Sequence, residues 1–302
     1  MAPRRNGIGR MDHDSAASLF DRTRVRVGAL LLVVTALAYT YKDVAAALVM
    51  QWSADDNYSH GFLIVPLAIY FAWARRATLR QVPARPSSWG VLVVGLSLGA
   101  FLAGIAAAEL FVARASFIGV VAGSIVFLFG WRHLRVLAFP VAFLVLMIPP
   151  PEILFNQVAL PLQLFASRTG EVVLRGAGVP VLRDGNVLEL VSMRLEVAEA
   201  CSGIRSIVSL LTFALVLGQF SGCSRMRMLL LAVATLPIAV IANATRVAAT
   251  GLAAHAWGPA VAEGLLHSTS GLLVFAAAVI VLLVVERTTA RMRLPLPRRI
   301  AS

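Results

Sequence analysis

Long apolar runs, separated by short polar segments, dominate the chain. Runs that approach 20 apolar residues are long enough to cross a bilayer as helices. The pattern therefore predicts an all-α polytopic membrane protein with about eight transmembrane helices. The predicted spans lie near residues 27–48, 61–74, 89–108, 112–130, 136–150, 202–220, 228–249 and 268–285. We divide the chain into a basic arm (1–26), a transmembrane domain (27–286) and a basic tail (287–302).

The region between the fifth and sixth predicted spans breaks this apolar pattern. Pro149-Pro150-Pro151 ends the fifth span, because proline lacks the backbone donor that a helix needs. Residues 152–175 mix apolar and polar positions in a way typical of a helix lying at the membrane interface. Three short strands are predicted at 179–182, 187–191 and 194–197, with a turn at Asp184-Gly185-Asn186. We expect residues 152–200 to form a small α+β cap.

The distribution of charge orients the predicted spans. Hydrophobic residues make up 59% of the 302, and the formal net charge is +12. Most of the 27 Lys and Arg fall in the N-terminal arm, in alternate loops and in the tail. Cytoplasmic loops are the ones enriched in Lys and Arg, so both termini are predicted to be cytoplasmic and the cap to be outside. The charge is thus an orientation signal with weak attraction to lipid headgroups, and nucleic-acid binding is not indicated.

The N-terminal segment raises the alternative of a cleaved signal peptide. Its basic region runs for 26 residues, and its apolar run is longer than the usual ~7–15. Both features favour a first span that is retained.

This topology brings three reactive residue types to the outer leaflet. Cys201 begins the sixth span, Arg246 lies late in the seventh, and His267 precedes the eighth. Cys223 follows the end of the sixth span, about 33 Å from Cys201 at ~1.5 Å rise per residue, so the two cysteines cannot form a disulfide.

The chemistry of this trio suits acyl transfer. A helix N-terminus and nearby cations lower the pKa of a thiol, which favours the nucleophilic thiolate at Cys201. Histidine can take and return a proton, and the arginine fork can stabilise an oxyanion. Arg205, one turn after the cysteine, is placed to tune the thiol.

Each residue also has a purely structural alternative. Cys201 can be a packing residue, Arg246 can extend its side chain to the lipid headgroups, and His267 can be a helix cap. His60 and His255 lie on the same predicted side and compete for the role of base. No paired His/Cys spacing or glycine-rich phosphate loop is present, so neither a metal nor a cofactor is predicted.

Several short motifs occur along the chain in a characteristic order. They are Tyr58-Ser59-His60-Gly61 with the residues around it, Met147-Ile148-Pro149-Pro150-Pro151, Leu160-Pro161-Leu162-Gln163, Ala200-Cys201-Ser202-Gly203-Ile204-Arg205-Ser206, Asn243-Ala244-Thr245-Arg246, and Leu266-His267 with Gly271. These motifs resemble those of the exosortase/archaeosortase family of membrane cysteine transpeptidases, in its bacterial exosortase branch. The resemblance covers roughly residues 27–286.

The resemblance implies a catalytic trio of Cys201, Arg246 and His267. Supporting or substrate-binding positions would be Arg205, Asn243, Ser202, Tyr58 and His60. It further implies a bacterial inner membrane location, with the active site on the periplasmic side. The expected substrates are membrane-anchored proteins whose C-terminal signal joins a Pro-Glu-Pro-like motif, a helix and an arginine-rich tail. Partner proteins of an exopolysaccharide system are also expected, beside the lipid bilayer itself.

Two alternatives to a transpeptidase remain open. A non-catalytic scaffold or a transporter would place polar residues through the bilayer midplane, whereas here they cluster at the outer end. A hydrolase that releases its product to water would use the same residues as a transpeptidase, so the sequence does not separate them.

Overall fold

The computed structural model describes Gly28 and residues 31–55, 57–191, 193–197, 204–258 and 265–291, without the side chains of 265–269. Over these residues the chain is mainly helical. It forms two compact units, Met1–Pro149 and Pro150–Ser302.

The first unit is a helical bundle. Its described helices are α1 (Leu31–Thr40), α2 (Lys42–Ala54), α3 (Gly61–Ala74), α4 (Arg76–Gln81), α5 (Trp89–Ala106), α6 (Leu110–Phe129), α7 (Trp131–Val136) and α8 (Ala138–Phe143), with a 3-10 turn at Leu144–Met147 after α8. The helices α5 and α6 pack closely because glycines let the two backbones meet. A β-carbon at Gly90 would collide with the backbone of Phe127, and one at Gly104 with the backbone of Ala113.

A bend of 63° separates α1 from α2 at Tyr41. The side chain of Tyr41 is 3% exposed, and its hydroxyl forms a 2.8 Å hydrogen bond with Ser116 Oγ. Its ring packs edge-on against Phe117. These contacts anchor the bend to α6.

The described part of the second unit combines a small sheet with four helices. The helices are α9 (Glu152–Gly176), α10 (Ile204–Phe220), α11 (Arg225–Trp257) and α12 (Leu265–Arg291), and the strands are β1 (Val181–Asp184), β2 (Val187–Leu190) and β3 (Arg194–Glu196). The strands form an antiparallel meander in the order β1-β2-β3. One helix and three strands therefore follow one another in the predicted order within residues 152–197, and the outer cap stays a prediction.

The turn between β1 and β2 is short and well anchored. Gly185 has φ +60°, the positive value that the first position of a two-residue type II′ turn requires. The hydroxyl of the fully buried Ser167, on α9, donates to the carbonyl of Gly185 at 3.0 Å. Arg183 on β1 also bonds to Glu171 on α9 at 2.9 Å. The sheet is therefore fixed to α9 by polar contacts at its edge.

Apolar packing completes the second unit. Leu174 on α9, Leu188 on β2 and Val247 on α11 belong to one buried cluster between the helices and the sheet. Another buried cluster joins Leu210 on α10 and Leu282 on α12 to α11. The helix α11 contributes to both clusters, so it is the central element of this unit.

Helix is present at all eight predicted span positions, but few of these helices qualify as spans by themselves. Among the residues that the structure describes, four helices are long and apolar enough: Trp89–Ala106, Leu110–Phe129, Arg225–Trp257 and Ser270–Arg291. The number rises to six if each of two bent pairs, Leu31–Thr40 with Lys42–Ala54 and Ala138–Met147 with Glu152–Gly176, forms one span. Gly61–Ala74 and Ile204–Phe220 are apolar but shorter. The protein is a multi-pass membrane protein, and the number of eight spans stays a prediction.

Candidate active site

Arg246 lies in the central helix of the second unit, where it lines a small pocket. The pocket has a volume of about 30 Å³. It is lined by Leu195, Glu196, Val197, Arg246, Val247, Thr250 and Ser270. Its walls therefore come from the end of β3, from α11 and from the first part of α12. A space of this size holds about one water molecule.

The Arg246 side chain reaches the neighbouring helix α12. A β-carbon built at Gly271 would lie 3.6 Å from Nη1 of Arg246. The guanidinium thus lies beside Gly271, where a β-carbon would be at ordinary contact distance and a longer side chain would compete for the space.

His267 lies on α12, one helical turn before Gly271. Residues four apart are neighbours on one face of a helix, so the α12 positions 267 and 271 share a face. The backbone of this position is described, and its side chain lies outside the described atoms.

Asn243 and His255 occupy different faces of α11. Asn243 precedes Arg246 by three residues and is 4% exposed, so it lies on the buried side of the helix. His255 follows Arg246 by nine residues, which is about two and a half turns and places it on the opposite face. His255 is exposed. Among the competing bases, His255 is therefore poorly placed to act with Arg246.

The end of β3 is held firmly just before the cysteine motif. The backbone N–H of Val197 donates to the carbonyl of Asn186 at 2.9 Å, and the Asn186 side chain donates back to the carbonyl of Val197 at 3.2 Å. Val197 is 1% exposed. Cys201 and Ser202 lie outside the described residues. The described chain resumes in α10, whose second residue is the half-buried Arg205.

Tyr58 and His60 belong to the first unit. The His60 Nε2–H donates to the carbonyl of Leu146 at 3.1 Å. Burial lowers the pKa of His60, and hydrogen bonds to backbone atoms of Leu146 and Asn57 partly offset this effect. A mainly neutral imidazole that braces a loop is the role that these contacts indicate.

The glycine of the Tyr58-Ser59-His60-Gly61 motif has a clear packing function. The indole of Trp52 lies directly over Gly61, where a β-carbon would overlap it. Trp52 Nε1 donates to the carbonyl of Met147 at 3.0 Å. The motif and Trp52 therefore hold the segment that follows α8 from two sides.

The structure adds pocket residues that the sequence analysis did not single out. Glu196, Thr250 and Ser270 line the same pocket as Arg246. Two of them could have been predicted from helical spacing, which places residues three or four apart on one face of a helix. Thr250 follows Arg246 by four residues, and Ser270 follows His267 by three. Glu196 could not have been predicted in this way, since its position depends on how the sheet packs.

Comparison with known protein families shows the family to which the chain belongs. The model of a transmembrane exosortase family, Exosortase_EpsH, matches residues 52–284, more than two thirds of the chain. The chain belongs to the transmembrane exosortase family. The resemblance stated from the motifs is confirmed, and this exosortase carries all eight predicted site positions within the matched region. No curated protein and no solved structure matches the chain.

Proposed function

We propose that this exosortase is a membrane-embedded cysteine protease or transpeptidase. It cleaves the C-terminal sorting signal of exported membrane-anchored proteins, of the Pro-Glu-Pro, helix and arginine-rich type. The observation that carries the proposal is the packing of Arg246 against Gly271, one turn from His267, in a pocket whose wall includes Val197.

Chain connectivity supports the role of Cys201. Val197 lines the Arg246 pocket and precedes Cys201 by four residues. Four residues of extended chain span at most about 14 Å, so the thiol is within short reach of the pocket. The three proposed catalytic residues thus belong to elements that meet in one unit, or to the segment that joins them.

The proposed reaction has two steps. The Cys201 thiolate attacks the scissile carbonyl, and the tetrahedral oxyanion is stabilised by the Arg246 guanidinium. His267 gives a proton to the leaving amine as the C–N bond breaks, which leaves a thioester on Cys201. Water or an acceptor amine then attacks the thioester, and the thiol is regenerated. The first acceptor gives hydrolysis, and the second gives transfer.

The remaining predicted residues have supporting roles. Arg205 adds positive charge near the start of α10, which favours the thiolate form of the nearby cysteine. Asn243 and Ser202 are polar groups that position Arg246 and the substrate carbonyl. Tyr58 and His60 are assigned to substrate binding on the strength of their motif.

The proposed setting is the bacterial inner membrane, with the active site on its periplasmic side. The arginine-rich loops orient the chain this way, and a signal whose helix enters the membrane would bring its scissile bond to that leaflet. Proteins of an exopolysaccharide export system are the expected partners.

The decisive experiment replaces Cys201 by Ala and by Ser and follows a reporter protein that ends in such a signal. Both variants are expected to insert normally and to lose cleavage. Cys223→Ala is the matched control, since burial raises the pKa of the Cys223 thiol and keeps it protonated. Retained cleavage in Cys201→Ala would contradict the nucleophile assignment. The mass of the new C-terminus, free or conjugated, separates hydrolysis from transfer.

A further inference from the structure

The strand β3 lies at one edge of the sheet and has one unpaired side. The sheet order is β1-β2-β3, so β2 is the neighbour of β3 among the described strands. In an antiparallel pair, alternate residues turn their backbone N–H and C=O groups toward the partner strand. On β3 these are the odd-numbered residues. The carbonyl of Met193 accepts from the N–H of Leu190, and the N–H of Val197 donates to a carbonyl of the β1-β2 turn.

Two exposed residues supply the backbone groups of the opposite side, which we call the free edge of β3. They are Arg194 and Glu196, whose N–H and C=O groups form no backbone hydrogen bond with another described residue. An unpaired edge is a template for a further extended chain, because a strand repeats donors and acceptors at the matching spacing. The free edge is therefore a surface suited to an extended peptide.

The free edge of β3 borders the Arg246 pocket. Leu195, Glu196 and Val197 are consecutive, and all three line the pocket. Consecutive residues of a strand point to opposite faces of the sheet, so a space that touches three in a row lies beside the strand. No residue of the fully described β2 lines the pocket, so the free edge is the side concerned. The opposite wall contains Arg246 and Thr250 of α11, and a peptide on this edge would pass the guanidinium.

We propose that the extended part of the sorting signal binds as an additional strand on the free edge of β3, an inference that rests on the proposed function. The substrate backbone exchanges hydrogen bonds with Arg194 and Glu196, as in other cases of strand addition to a sheet edge. The pocket beside this edge holds about one water molecule, so it accepts a substrate carbonyl oxygen and excludes a side chain. Binding is non-covalent and precedes the reaction.

The spacing of the two prolines in a Pro-Glu-Pro signal suits this pairing. Residues two apart in a strand turn their backbone groups to the same side. Both prolines can therefore turn their nitrogens, which carry no hydrogen, away from β3. The central glutamate then presents its N–H and C=O to the free edge. Prolines at adjacent positions would instead place one of them against β3 without a donor.

The test measures the binding of synthetic peptides to the full-length Cys201→Ala protein in detergent, where no thiol attack takes place. Each peptide carries the Pro-Glu-Pro motif, several residues before it and the helix after it. N-methylation of the central glutamate removes the donor that faces β3 and is expected to weaken binding about fivefold or more. N-methylation three residues before that glutamate removes a donor that faces away, so binding should stay within about twofold.

Variants of the protein remove the matching group on β3. Glu196→Pro deletes an N–H of the free edge without breaking a hydrogen bond to β2, and peptide binding should fall about fivefold or more. Glu196→Ala keeps this N–H, so its loss should be smaller. The control is Val181→Pro, which places a proline at the first residue of the opposite edge strand β1 and should leave binding unchanged. Thermal unfolding in detergent checks the folding of each variant, and the N-methylated peptides test the same contact on the unaltered strand.

Three results would overturn the inference. Equal weakening by the two N-methyl groups, or by neither, would show that the peptide does not pair as a strand. Unchanged binding in a folded Glu196→Pro protein would place the peptide elsewhere. A wild-type dimer in native mass spectrometry that Glu196→Pro converts to a monomer would assign the free edge to a second copy of the chain. Cleavage is measured separately with the wild type, and a peptide that binds as expected but is not cleaved would contradict the proposed reaction alone.

Discussion

The guanidinium of Arg246 lies beside Gly271, where a β-carbon would stand 3.6 Å from Nη1. The contact joins α11 to α12 at the level of one polar pocket. It also sets the Arg246 fork one turn away from the position of His267 on α12. Both proposed catalytic side chains therefore depend on how closely these two helices approach.

The size of the residue at position 271 should control activity. Gly271→Ala adds an atom at ordinary contact distance, so cleavage is expected to stay within about threefold of wild type. Gly271→Leu should displace the guanidinium and lower the cleavage rate by at least about tenfold. Rates are measured with the sorting-signal reporter at matched expression. Gly99→Leu is the control, because a β-carbon there meets nothing within 4 Å; equal activity of the two leucine variants would contradict this prediction.

Replacement of Arg246 should show that cleavage depends on the planar pair of guanidinium donors as well as on the positive charge. Arg246→Lys keeps the charge but loses the planar pair of donors, and Arg246→Gln loses both. If the guanidinium stabilises the oxyanion, kcat should fall by roughly 10²–10³ in Arg246→Gln, with a substantial loss also in Arg246→Lys. The measurement is single-turnover cleavage in detergent. A normal kcat with only a raised KM would assign Arg246 to substrate binding.

The motif glycine Gly61 should be essential for stability. Gly61→Ala places a methyl group into the indole of Trp52, which must move and strain its hydrogen bond to Met147. Overpacking of this kind costs typically about 1–3 kcal/mol. The expected result is a lower thermal unfolding midpoint in detergent. Gly95→Ala, on the open face of α5, should leave the midpoint unchanged or raise it.

His60 should make the protein less stable in acid. Burial lowers the pKa of His60 below its usual value of 6.5, so the unfolded chain binds a proton more readily than the folded one. Stability from this group is present above about pH 6.5 and is lost as the pH falls through the folded pKa. The His60→Gln variant, which keeps a donor for the carbonyl of Leu146, should show a shallower loss of stability as the pH falls below about 6.5. Parallel denaturation curves for the two proteins would contradict the assignment.

Secondary structure in this protein follows closely from local sequence. The meander was predictable because Gly185 marks a tight turn between two short alternating strands. The helix α9 was predictable from the mixed face of residues 152–175. Hydropathy alone could not reveal the bend at Tyr41, because the apolar run continues through it and the bend is fixed by Ser116, 75 positions away.

The candidate site was only partly predictable for a related reason. The predicted topology grouped Arg246 with His267, because Arg246 lies near the end of the seventh predicted span and His267 just before the eighth. Both positions are then on the predicted outer side of the membrane. The contact with Gly271 and the place of Glu196 depend on packing between elements, which no local pattern encodes.

The anchored turn between β1 and β2 has a practical consequence for labelling. Surface turns are the usual sites for inserted tags and fluorophores. Here Gly185 is bonded to Ser167 and Asn186 to Val197, so an insertion would disturb the strand that precedes the proposed nucleophile in sequence. Val191, at the opposite end of the meander and 86% exposed, has no such ties among the contacts described. A reporter group at position 191 would label this sheet and leave those hydrogen bonds intact.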